Sequence, residues 1–78
     1  MRFVATFYTH AAALLTNRRL QRQGIESRLG PVPRKLSSSC GTCVQYMADD
    51  AKLELMDTDV ESVYEVTENG YEKRFHHE

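Results

Sequence analysis

The chain has 78 residues, enough for one hydrophobic core and too few for a second domain. Its apolar share of 41% and charged share of 27% exclude a disordered or fibrous chain, and a formal net charge of -1 gives no overall pull toward nucleic acid. The longest apolar run, residues 11–15, is far shorter than the ~18 residues a membrane span needs, and no basic-then-apolar leader precedes it, so no membrane contact and a cytoplasmic location are expected.

Residues 2–8 (RFVATFY) carry β-branched and aromatic side chains on both faces, which predicts a central strand. Thr9 is placed to cap a helix in which Ala12, Ala13, Leu14, Thr16, Asn17 and Leu20 contain the three-and-four spacing of one buried stripe. Gly24 ends that helix in the left-handed conformation a helix terminus favours. Residues 25–32 read as a strand on a sheet edge, because Pro31 and Pro33 each lack an amide donor. A polar loop over 34–41 then leads into a third strand over 42–47, forming a hairpin.

Asp49 or Asp50 can cap a short second helix through Met56, although Leu53-Glu54-Leu55 would alternate equally well in a strand. Residues 61–66 alternate clearly as a fourth strand. Asn69-Gly70 is a type I′ turn signal leading into residues 71–75, a fifth strand or hairpin tail that pairs with the fourth or with a second subunit.

Strand, helix, strand, strand, helix, strand is the split βαβ order, so the expected fold is α+β and ferredoxin-like (βαββαβ) with an antiparallel sheet. Residues 1–66 form that domain, and residues 67–78 are a hairpin or tail appended to it. A right-handed crossover returns the second strand parallel to the first, which brings the start of the helix and the loop after the second strand to one end of the sheet. His10 and Cys40 are therefore expected as neighbours.

Residues 1–35 hold seven of the ten basic residues, with Glu26 as their only acid. Arg18, Arg19 and Arg22 read as the solvated face of the helix. The near-neutral total weighs against a nucleic-acid footprint, so no nucleic-acid partner is expected.

A longer pattern runs through Thr9, His10, Ala13, Leu14, Leu20, Gly24 and Ile25, then Pro31, Val32, Pro33, Arg34, Ser37, Ser38, Cys40 and Gly41, then Val63-Tyr64-Glu65-Val66. It resembles the DUF3343 family of small bacterial selenium/sulfur (Se/S) carrier-like proteins over most of the first 66 residues. The resemblance implies a ferredoxin-like fold, a single important cysteine at Cys40 and a carrier role without enzymatic activity. Its implied partners are sulfur- or selenium-transfer enzymes acting as donor and acceptor, and a homodimer stays open.

A carrier cysteine needs an accessible thiolate. An unperturbed thiol has a pKa near ~8.5, which a nearby cation or helix N-terminus lowers. Cys40 has Arg34 and Lys35 in its loop, and the start of the helix, with His10, is expected close by. Gly41 admits close approach of a partner's sulfur, and the hydroxyls of Ser37, Ser38 and Ser39 are donors for an anionic persulfide or perselenide. Cys43 lies in the third strand's pattern, where a small apolar side chain belongs, and reads first as core and second as an additional thiol.

Three alternatives stand beside the carrier. The C-x-x-C of Cys40 and Cys43 could act as a redox dithiol, but it runs from loop into strand, where extended Cα atoms would lie roughly 10 Å apart and only a turn at Gly41 could bring them within bridging range. Zinc bound by these cysteines with His10, His76 or His77 is weaker still, since a lone C-x-x-C is half a site, and no metal or cofactor is expected. A protein-interaction module without chemistry is the third. No nucleophile elbow, phosphate loop or metalloprotease helix is present.

Overall fold

In the computed structural model, which describes residues 1–78, the chain runs β1 (Arg2–Phe7), α1 (His10–Arg22), β2 (Ser27–Pro31), β3 (Thr42–Met47), a 3-10 turn (Leu53–Leu55), β4 (Val60–Thr67) and β5 (Gly70–His76). The strands form one antiparallel sheet in the order β2-β3-β1-β4-β5. β1 is central, as its two-sided apolar composition predicts, and Phe3, Val4, Ala5, Thr6 and Phe7 are all buried. β2 lies on an edge, where the donor that Pro31 lacks is not needed for a second ladder. The β2-β3-β1-β4 portion is compatible with a ferredoxin-like arrangement.

Alternation along the strands gives the sheet two different faces. Phe3, Ala5 and Phe7 of β1 join Val44 and Tyr46 of β3 and Val60 and Val63 of β4 in a core closed by Ala12, Ala13 and Leu20 of α1. Full burial of each large side chain here contributes about 1.5–3 kcal/mol. The opposite face, which carries Val4, Thr6, Cys43, Gln45, Ser62 and Tyr64, has no helix over it.

α1 begins where Thr9 Oγ1 accepts the Ala12 amide at 3.1 Å, and Gly24 turns the chain out at φ +74°. Its buried stripe is Ala12, Ala13, Thr16 and Leu20. Leu14 departs from the expected stripe and is exposed. At 3.6 residues per turn it falls roughly 145° around the helix from the stripe's centre.

Two local expectations are corrected. The short helix expected from Asp49 or Asp50 to Met56 is replaced by the 3-10 turn Leu53–Leu55. Asp50 Oδ1 accepts the Lys52 amide at 2.8 Å, Lys52 Nζ pairs with Asp49 Oδ1 at 2.9 Å, and Lys52 sits at φ +53°. Aspartate side chains bonding to nearby backbone favour such a turn over a helix. The β4–β5 turn is also not type I′. Thr67 pairs with Gly70, so Glu68 and Asn69 are the central residues, and neither has positive φ. Gly70, at φ +110°, closes the turn in a conformation that glycine adopts without steric cost.

Candidate functional site

The loop between β2 and β3 is closed at its neck by the Val32 amide donating to the Gly41 carbonyl at 3.2 Å, and Gly41 itself turns at φ +75°. Within it, the Leu36 amide donates to the Pro33 carbonyl at 3.0 Å. Two further bonds tie the loop across the end of the sheet. Ser38 Oγ donates to the Phe7 carbonyl at 3.2 Å, and the Ser39 amide donates to Glu61 Oε1 at 3.1 Å. The loop is thus anchored to the end of β1 and the start of β4, far from a free-swinging tether.

Cys40 is half-buried against the core, and its thiol donates to the Thr42 carbonyl at 3.5 Å. On the same residue, Thr42 Oγ1 lies 3.1 Å from His10 Nδ1 in the first turn of α1. His10 and Cys40 therefore meet at one end of the sheet through Thr42, as the crossover argument requires. Gly41 is exposed beside the thiol. Arg34 and Lys35 are exposed and form no ion pair, while Ser38 is occupied with the Phe7 carbonyl.

Cys43 has a different environment. It is fully buried, and its thiol donates to the Pro31 carbonyl at 3.4 Å. Burial pushes its pKa up, a nearby Cys40 adds to that, and a hydrogen bond with Gln45 works against it. Gly41 does bend the chain, but Thr42 shares the core face with Val44 and Tyr46, which sends Cys43 to the opposite face. Both cysteines are unbridged.

The C-terminal histidines reach the same end of the sheet without gathering around the thiols. His76 Nδ1 lies 2.8 Å from Ser62 Oγ, and the His77 ring meets Tyr8 edge-on at 5.5 Å. No three metal-ligating side chains cluster anywhere in the structure. Thr42 and Glu61 are the two site residues the sequence did not single out. Thr42 read only as the first residue of a strand, and Glu61 becomes relevant only once β4 is placed beside β1.

A helix-backed antiparallel sheet with one half-buried thiol in an anchored loop at its end defines a small α+β thiol-bearing domain. Residues 2–65 match the family model described as "Putative Se/S carrier protein-like", and the chain belongs to that family. No curated protein and no solved structure matches it. The match ends within β4, so β5 lies outside it. No helix is long and apolar enough to cross a membrane.

Proposed function

We propose that the protein carries sulfur or selenium on Cys40 and is a substrate of transfer enzymes, without catalytic turnover of its own. In loading, the Cys40 thiolate attacks the outer sulfur of a donor enzyme's persulfide. The donor's S–S bond breaks, its cysteine leaves as thiolate, and Cys40 becomes the persulfide. In discharge, an acceptor nucleophile attacks the outer atom and Cys40 leaves as thiolate. The outer atom is handed on at each step, so neither needs an external oxidant or reductant. Selenium follows the same path as a perselenide.

The observation that carries this reading is the asymmetry of the two thiols within a chain of this family. Cys40 is half-buried in a loop next to an exposed glycine, whereas Cys43 is fully buried with its pKa raised. His10 and Thr42 are positioned to keep the Cys40 loop in place, and Arg34 adds positive charge to the loop that an anionic cargo would meet. Two unbridged cysteines suit a reducing compartment such as the cytoplasm.

The test is intact mass and peptide mapping of wild type, Cys40→Ser and Cys43→Ser after exposure to a cysteine or selenocysteine sulfur-transfer enzyme. The expected result is one added sulfur or selenium on wild type and Cys43→Ser, and none on Cys40→Ser. Loss of labelling in both variants would replace the carrier with a dithiol mechanism.

A further inference from the structure

The helix-free face of the sheet holds a depression of about 250 Å³ at the end away from Cys40. Strand register assigns its residues. Arg2 of β1 is flanked by Met47 and Val66, and Val4 by Gln45 and Tyr64, while Arg28 of edge strand β2 lies opposite Gln45. Arg2, Val4, Arg28, Gln45 and Val66 line the depression, with Glu26 at its β2 side. Both arginines are exposed and neither forms an ion pair. Lys73, the other cation on this face, lies 5.7 Å from the Tyr64 ring centroid and is outside the depression.

We infer that this depression binds a small oxyanion, a carboxylate or phosphate carrying a short apolar portion. Two guanidinium groups against one carboxylate leave a net positive charge, and guanidinium forks match the paired oxygens of either anion. The Gln45 side chain adds an amide donor, and exposed Met47 and half-buried Val66 give the apolar portion a surface to cover. β1 separates Arg2 from Phe7 by roughly 16 Å at about 3.3 Å per residue, and Cys40 packs against the core on the other face. The site is therefore distinct from the thiol and does not depend on its proposed role.

The experiment is a titration of the full chain, followed by amide chemical shifts, with inorganic phosphate, butyrate and, as neutral control, butanol. Butyrate and phosphate are expected to bind with dissociation constants on the order of 1–10 mM and to shift the amides of Arg2, Val4, Gln45 and Val66, with no such shift from butanol. Tighter butyrate assigns a carboxylate ligand, and tighter phosphate a phosphorylated one. Arg2→Gln and Arg28→Gln are each expected to weaken binding at least tenfold. Val66→Glu, which places a carboxylate beside Arg2, is expected to abolish it and serves if an arginine variant misfolds. Shifts centred instead on Arg18, Arg19 and Arg22, or unchanged in these variants, or no saturable binding, would overturn the assignment.

Discussion

The His10 imidazole and the Thr42 hydroxyl stand 3.1 Å apart across 32 positions of sequence. One belongs to the first turn of α1, the other to the first residue of β3. Their contact joins the start of the helix to the strand that follows the Cys40 loop, and the Thr42 carbonyl accepts the Cys40 thiol two residues away. The end of the sheet is thereby organised around Thr42, with the thiol on its backbone and the histidine on its side chain.

That contact is exposed, so its energetic weight is small and measurable. A double-mutant cycle of His10→Ala and Thr42→Val, read by urea denaturation, is expected to give a coupling energy of about 0.5–1 kcal/mol. Single-variant losses that add without coupling would show that the two residues are neighbours only.

Stability is expected to fall in alkali through two core groups. Burial raises the pKa of Cys43, and burial together with Asp50 and Glu54 raises that of Tyr46 well above the usual tyrosine range. Each group stays protonated in the folded chain at a pH where the unfolded chain has begun to lose its proton. The unfolded state then binds fewer protons, so unfolding free energy declines as pH rises. The contribution is complete below the unfolded values, about 8.5 for cysteine and about 10 for tyrosine, and is lost as pH rises through each folded value. The slope for each group is at most about 1.4 kcal/mol per pH unit. Cys43→Ala is expected to flatten the decline that starts near the cysteine value, and Tyr46→Phe the one above the tyrosine value. Denaturation midpoints at a series of pH values check this, and identical slopes in both variants and wild type would refute it.

Gly41 and Gly30 make a paired test of the loop. Neither would meet another atom within 4 Å if given a Cβ, but only Gly41 has positive φ. Gly41→Ala is expected to destabilise by about 1–2 kcal/mol, the cost of the left-handed conformation. Gly30→Ala is expected to change stability by no more than about 0.5 kcal/mol or to raise it slightly through the unfolded state. Equal effects of the two would mean that backbone conformation at Gly41 is not what shapes the loop.

The strands of this fold were legible because each has an apolar pattern suited to its position. The two-sided run of β1 marked it as central, and Pro31 marked β2 as an edge. The nearness of His10 and Cys40 followed from chain direction alone. The missing second helix did not, because Asp49 and Asp50 are good helix caps and equally good turn formers, and here their bonds to Lys52 decide the matter. The hairpin turn was off by one residue for a related reason: Asn69-Gly70 suits the centre of a type I′ turn, but the Thr67–Gly70 pairing puts Glu68 and Asn69 there instead. Glu61 could not be found by spacing, since its role depends on a β4–β1 register that begins with an irregularity between Thr6 and Phe7.

Glu61 gives the last prediction, because it holds the Cys40 loop from the far side. Its carboxylate accepts the Ser39 amide at 3.1 Å, and its carbonyl accepts the His77 amide at 2.8 Å, so one residue of β4 links the loop to the end of β5. The side-chain bond is exposed and is expected to be worth about 1 kcal/mol, which corresponds to roughly a fivefold change in the population of an opened loop. Glu61→Ala should therefore raise the rate of Cys40 alkylation by iodoacetamide under native conditions by about that factor. Cys43 should stay protected, since its burial comes from the sheet and not from the loop. Glu61→Gln keeps a side-chain oxygen as acceptor and is expected to remain within about twofold of wild type. Peptide mapping of the alkylated protein separates the two thiols, and urea-unfolded samples of all variants should react alike. A wild-type rate for Cys40 in Glu61→Ala would show that the loop keeps its position without this contact, leaving the Ser38–Phe7 bond and the Val32–Gly41 neck to hold the thiol.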